Sequence, residues 1–144
     1  MADYKKTKTL SQSQAAYIAG LIDGEGTITL SKRHKNENRQ LVISISNNEK
    51  ILLDYTLSII GAGKITCKKT YSDKHAPSFT YSISNRQAIN LLDQVYVFLR
   101  SHKKMRAQLV LDKYIRLTPR NGKYTEQVKA EREIFVQKYF EIKP

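Results

Sequence analysis

Cysteine is almost missing from this 144-residue chain, where Cys67 stands alone. A lone cysteine excludes an internal disulfide and any cysteine-rich zinc site. It also makes a reducing, intracellular compartment the default expectation. Long apolar runs are missing too. No segment approaches the roughly 18 consecutive apolar residues of a spanning helix, so no membrane partner is expected. Residues 1–10 are polar and basic, lack the apolar core of a secretory signal, and read as a flexible basic lead. His34, His75 and His102 show no metal-ligand spacing, and there is no glycine-rich phosphate loop or Ser/His/Asp order. The last shortage is acid. Thirteen Asp and Glu stand against 25 Lys and Arg, a formal net charge of +12. Such an excess points to a polyanion, most often nucleic acid. With 40% hydrophobic residues the chain is no disordered tail. Its length suits one domain, residues 1–144, with a real core.

What is present is organised around Tyr17-Ile18-Ala19-Gly20-Leu21-Ile22-Asp23-Gly24-Glu25-Gly26. Ser11 and Gln14 have capping-box spacing just before this apolar run, which predicts a helix from about Gln12 to Asp23. Gly20 inside that helix costs roughly 1 kcal/mol against alanine. Ala16, Gly20 and Gly24 fall four apart and leave one face bare, so that another backbone can approach closely. The run ends in Asp23 and Glu25, at the helix end whose dipole disfavours acids. A weak interior and an acidic tip together predict a tight helix pair, a homodimer through Ala16, Gly20, Asp23 and Gly24, with carboxylates held where two tips meet.

Period-two alternation then predicts four half-buried strands. Ile28 and Leu30 face the core in the first, with Thr29, Ser31 and Arg33 opposite. Leu41, Ile43 and Ile45 face it in the second, with Ser44 and Ser46 opposite. Residues 32–39 form a polar hairpin tip. The third strand turns Ile65 and Cys67 inward and Lys64, Thr66 and Lys68 outward. The fourth turns Phe79, Tyr81 and Ile83 inward and Ser78, Thr80 and Ser82 outward, and residues 71–77 form the second tip. A second helix is expected over about Glu49 to Ile60, buried through Ile51, Leu52, Tyr55 and Ile59 and stopped by Gly61. Further helices are expected over about Arg86 to Leu99, Met105 to Leu117 and Glu126 to Phe140. The order helix-strand-strand, helix-strand-strand, helix is a structural duplication. The outward faces carry Ser, Thr, Lys and Arg with almost no acid. Hydroxyls can donate or accept toward base edges, and Lys or Arg can reach guanine or phosphate. The residues expected to touch double-stranded DNA are therefore Thr29, Ser31, Arg33, Lys35, Arg39, Gln40, Ser44, Ser46, Lys64, Thr66, Lys68, Thr70, Ser78, Thr80 and Ser82.

Asp23 and Glu25 are hard oxygen donors suited to Mg²⁺, and a second copy would double the carboxylates at the tip. Lys103 and Lys104 form a basic joint after the third helix. Asn47 and Asn48 end the second strand, where they could orient water or cap the next helix.

The stretch Ile18 to Gly26 closely resembles the signature of the LAGLIDADG homing endonucleases. It occurs once, as in the single-motif, homodimeric branch. The resemblance implies an α+β, αββαββα fold with a saddle-shaped antiparallel four-stranded sheet per subunit, followed by C-terminal helices. It implies an intron-encoded, site-specific endonuclease using Mg²⁺ or another divalent cation. Such an enzyme cuts both strands of a long, nearly palindromic target across the minor groove and leaves short 3′ overhangs. The host would be a prokaryotic cytoplasm or an organelle matrix. The metal ligand implied is Glu25, assisted by the Gly24 carbonyl; the catalytic lysine is Lys103, and the water-positioning residue is Asn47. Lys50 matches a basic position at the start of the second helix. Glycine replaces the second alanine of the motif and Glu its final Asp. The alternatives are an RNA-binding intron maturase and a DNA-binding regulator without cleavage; Glu25 and Lys103 favour cleavage over both.

Overall fold

The computed structural model describes residues 5–32, 34–68, 77–119 and 122–144, apart from the side chain of Lys68. Arg33, Thr70, His75 and most of the second hairpin tip lie outside the described residues. The chain runs α1 (Gln12–Glu25), β1 (Gly26–Ser31), β2 (Gln40–Asn47), α2 (Lys50–Ile60), β3 (Lys64–Lys68), β4 (Ser78–Ser84), α3 (Asn85–Val95), α4 (Lys103–Lys113) and α5 (Glu126–Glu141), with a 3₁₀ turn at Tyr96–Phe98. The strands form one antiparallel sheet in the order β1-β2-β4-β3. Each hairpin therefore supplies two neighbours, and β2 and β4 join the halves. This is the α+β architecture that the alternation and helix order predict.

The apolar positions of the strands fill one face. Ile28, Leu30, Leu41, Ile43, Ile45, Tyr81 and Ile83 are buried, and Ile18, Ala19 and Ile22 of α1 and Leu91, Leu92 and Val95 of α3 join them. The capping box is formed: Ser11 Oγ accepts from Gln14 N–H, and Gln14 Oε1 accepts from Ser11 N–H at 2.9 Å. α1 runs two residues beyond the expected end and passes directly into β1. Gly26 permits that junction, since a Cβ there would lie 2.7 Å from the Cα of Ile22.

Three expectations are corrected. α2 buries Leu53, Thr56 and Ile60, while Ile51 and Tyr55 are exposed. Its apolar residues surround the helix too fully for spacing to choose a face. Cys67 is exposed on the edge strand β3, not in the core. Residues 5–10 are no loose lead. Lys8 N–H donates to Ile60 O at 2.8 Å, Gln94 receives Leu10 N–H at 2.7 Å, and Gln87 donates to Lys5 O at 2.8 Å. These bonds strap the segment over α2 and α3.

The C-terminal helices close the other edge. The Tyr139 hydroxyl and Arg106 both donate to Ile28 O, and Arg39 donates to Leu30 O at 3.1 Å. Carbonyls that would face an open edge of β1 are thereby taken. Buried Arg132 donates to Leu117 O at 2.6 Å and also to Arg39 O, tying α5 to the base of the first hairpin.

The Gly26 junction generates a stability prediction. Gly26→Ala forces a methyl against helix backbone that cannot yield locally, an overpacking cost of about 1–3 kcal/mol. Urea unfolding should show this loss; an unchanged midpoint would remove the steric account of this glycine.

Candidate active site and nucleic-acid interface

Three side chains from separate elements meet at the C-terminal tip of α1. Glu25 is exposed there, and Asn47, at the end of β2, donates its Nδ2–H to Glu25 Oε2 at 2.6 Å. The Asn47 Oδ1 accepts from Glu49 N–H at 2.7 Å. Asn47 thus holds the turn into α2, close to the capping role expected of it, and orients the Glu25 carboxylate as well. Lys103, in the first turn of α4, donates through Nζ to Ile22 O at 2.8 Å and Asp23 O at 2.9 Å. Its ammonium offsets the negative end of the α1 dipole. Burial holds the Lys103 ammonium below its ordinary pKa and Arg106 adds to this, while Asp23 acts the other way. Lys104 reaches only toward Val97 O, at 3.5 Å. Lys50 pairs with Asp54 at 3.1 Å on the exposed side of α2.

Asp23 departs from expectation. Its carboxylate does not lie on the bare helix face. It turns into its own chain, accepting from Arg100 N–H at 2.8 Å, from Ser101 N–H at 3.2 Å and from the Ser101 hydroxyl at 2.6 Å. It fastens the joint before α4 and so sets where Lys103 begins. Burial raises the Asp23 pKa, but the three hydrogen bonds and the Lys103 charge outweigh it and hold the carboxyl below its ordinary value.

The bare face itself is present. Ala16, Gly20 and Gly24 are exposed, and a Cβ at Gly20 or Gly24 would meet nothing within 4 Å. Within the chain these two glycines have no steric purpose, unlike Gly26. Tyr17 remains 40% exposed beside them, with its ring edge-to-face on Tyr55 at 5.7 Å between centroids.

The outer sheet face is ordered into rows by the register. Thr27, Ser44, Ser82 and Lys64 lie side by side across all four strands. Ser46, Thr80 and Thr66 form the next row, with Ser46 and Thr80 hydroxyls 2.8 Å apart. Toward the other end, Thr29, Val42 and Ser84 align, then Ser31 and Gln40. Ser78 pairs with Lys68 beyond. No Asp or Glu stands at any of these positions. Lys35 is exposed on the hairpin tip. Arg39 is not free to reach outward: besides bonding Leu30 O, its guanidinium lies 5.0 Å from the centre of the Phe140 ring. Thr27, Val42 and Ser84 belong to the face but were missed. Parity alone places them, and Val42 hid its place by being apolar.

No protein-family model matches the chain, and no curated protein sequence matches it. Solved structures do. The homing endonuclease I-CvuI, bound to a DNA target, superposes with a TM-score of 0.73 at 18% identity, over 92% of this chain and 83% of that one. An archaeal intron-encoded homing endonuclease, I-Vdi141I, also bound to DNA, gives 0.69 at 18% identity, over 92% and 85%. The LAGLIDADG meganuclease I-AabMI gives 0.64 at 19% identity, with 85% of this chain covering 43% of that one. The fold is that of the LAGLIDADG homing endonucleases. On that fold, this chain corresponds to nearly a whole I-CvuI chain but to less than half of I-AabMI. The signature stretch is α1 itself, and the LAGLIDADG sheet presents the hydroxyl rows described above.

The Asp23 clasp generates a pH prediction. A carboxyl held below its unfolded pKa contributes stability above that unfolded value and loses it as pH falls through the folded one. Asp23→Asn should cost about 1 kcal/mol or more at neutral pH and flatten the acid limb of the stability curve. Urea midpoints measured from neutral pH to below the carboxylate range would test this; parallel curves for both proteins would remove the clasp.

Proposed function

We propose that the chain is a homodimeric, intron-encoded, site-specific DNA endonuclease dependent on Mg²⁺ or another divalent cation. The observation that carries this reading is the α1 tip: an exposed acid held by Asn47, with Lys103 bonded to carbonyls of the same helix end, on a helix whose glycine face has no partner within the chain. The acid-free outer sheet face supports DNA as substrate. So do the LAGLIDADG fold and the DNA complexes of I-CvuI and I-Vdi141I. I-CvuI was solved in 2 mM Mg and in 2 mM Ca, which supports a divalent ion.

The donor set suits such an ion. Glu25 Oε1 and the Gly24 carbonyl are hard oxygens at an exposed tip, and Asn47 occupies only Oε2. Among the described residues no group of three or more His, Cys, Asp or Glu could hold a metal. Two copies, paired through Ala16, Gly20 and Gly24, bring two Glu25 carboxylates together. A divalent ion held by Glu25 and the Gly24 carbonyl would supply activation of a water and stabilisation of the leaving oxygen in phosphodiester hydrolysis. Asn47 orients the carboxylate and a neighbouring water. Lys103 places a positive charge where negative charge develops on the phosphate. Outer-face hydroxyls and lysines read base edges and phosphates, and a two-fold dimer reads a nearly palindromic site. Cleavage of both strands leaves short 3′ overhangs.

Glu25→Gln tests the reaction, because it keeps the acceptor for Asn47 and removes the charge a hard cation needs. Plasmid linearisation in Mg²⁺ should be abolished. Gel-shift affinity in Ca²⁺ should be kept or strengthened, since an acid near phosphates repels them. Undiminished linearisation would falsify the metal site. Gly20→Leu tests the dimer. Sedimentation should show monomers or aggregates in place of a dimer, because a large side chain blocks close helix approach. An unchanged dimer would place the interface elsewhere.

A further inference from the structure

Asn85, the first residue of α3, has φ +54°, the one positive φ outside glycine among the described residues. Such a backbone is unusual though tolerated by Asn and Asp, and its side chain has a defined task. β4 ends at Ser84, so the next residue along β2 from their last pair, Leu41, has no strand partner on that side. Leu41 N–H donates instead to the Tyr114 hydroxyl at 3.1 Å. That hydroxyl donates in turn to Asn85 Oδ1 at 2.7 Å. Asn85 Nδ2–H then donates to Gln40 Oε1 at 3.3 Å. The chain of bonds has one polarity. A backbone N–H can only donate, so the Tyr114 oxygen accepts and passes its own proton to the Asn85 carbonyl. The Asn85 amide nitrogen is thereby turned toward Gln40 and meets its oxygen.

Gln40 sits on the outer sheet face, in register with Ser31. A glutamine free to rotate offers both a donor and an acceptor, and pairs bidentately with adenine through N6 and N7. Here the oxygen is engaged inward, and what remains for a groove is the pair of Nε2–H donors. Two acceptors side by side are the N7 and O6 of guanine. We propose that Asn85 is a specificity-determining positioning residue, which fixes the Gln40 carboxamide so that this point of the sheet selects guanine. The proposal rests on the reading of the sheet as a DNA-binding face.

The test is selection of bound duplexes from a randomised library by the full chain in Ca²⁺, followed by sequencing. Gln40→Ala identifies the base pair concerned, as the position whose preference it flattens. The parent should prefer guanine there over adenine by about tenfold or more. Asn85→Asp keeps shape and backbone tolerance but offers only acceptors. Gln40 must then donate inward and present its oxygen, moving the preference to cytosine or adenine at that position alone. Asn85→Gly also accepts positive φ and frees the amide, so guanine preference should weaken there while all other positions keep theirs. A merely structural Asn85 would lower affinity everywhere and move no base preference. Guanine retained by either variant, or a parent preference for adenine or cytosine at the Gln40 position, overturns the proposal and leaves the endonuclease reading intact. A parent chain that enriches no sequence overturns both.

Discussion

The clasp between Asp23 and the joint before α4 is the constraint from which the site follows. Three hydrogen bonds to one carboxylate fix the end of α1 against a segment nearly eighty residues away. With that joint held, the first turn of α4 can send Lys103 back to the carbonyls of the same helix end. Asp23 and Glu25, two residues apart on a helix, point in different directions. One is used up in holding the tip, and the other is left exposed on it. The acidic tip is therefore one acid spent on structure and one left exposed, and the electrostatic cost of placing both at a helix C-terminus is offset by Lys103.

The motif glycines divide in a similar way. Gly26 is required by the subunit, because the turn from α1 into β1 brings it against Ile22. Gly20 and Gly24 are surrounded by open space. Their cost in helix propensity is not recovered by any contact inside the chain; the proposed pairing with a second copy would offset it.

Much of this was legible in the residues. Alternation in β1, β2 and β4, broken at Val42, set both faces of the sheet, because one-sided burial leaves a period of two. The Ser11–Gln14 spacing located the start of α1. The convergence of Glu25, Asn47 and Lys103 was legible only through the resemblance, since nothing local in three distant segments says that they meet. Asp23 was misplaced for the same reason: Arg100 and Ser101 carry no mark of being its partners. The buried side of α2 was ambiguous because Ile51, Leu52, Leu53, Leu57, Ile59 and Ile60 encircle the helix. The strap at residues 5–10 was missed because its anchors are glutamine amides and backbone groups, which leave no hydrophobic pattern. Asn85 gave a signal of a kind, as a residue type that tolerates positive φ, but only the register shows that Gln40 is within its reach.

The seal on β1 has a consequence for the order in which the protein is made. The Ile28 carbonyl accepts from Arg106 and also from Tyr139, more than a hundred residues downstream. Leu30 O has its donor close by in sequence, in Arg39, but Ile28 O is open until α4 and then α5 have been synthesised and docked. An open edge can recruit a strand from another chain. A truncation just before Tyr139 would leave the tip of α1 and the hydroxyl rows in place. It would remove one of the two donors to the Ile28 carbonyl, loosening the seal on the edge of a chain that keeps every proposed reactive group.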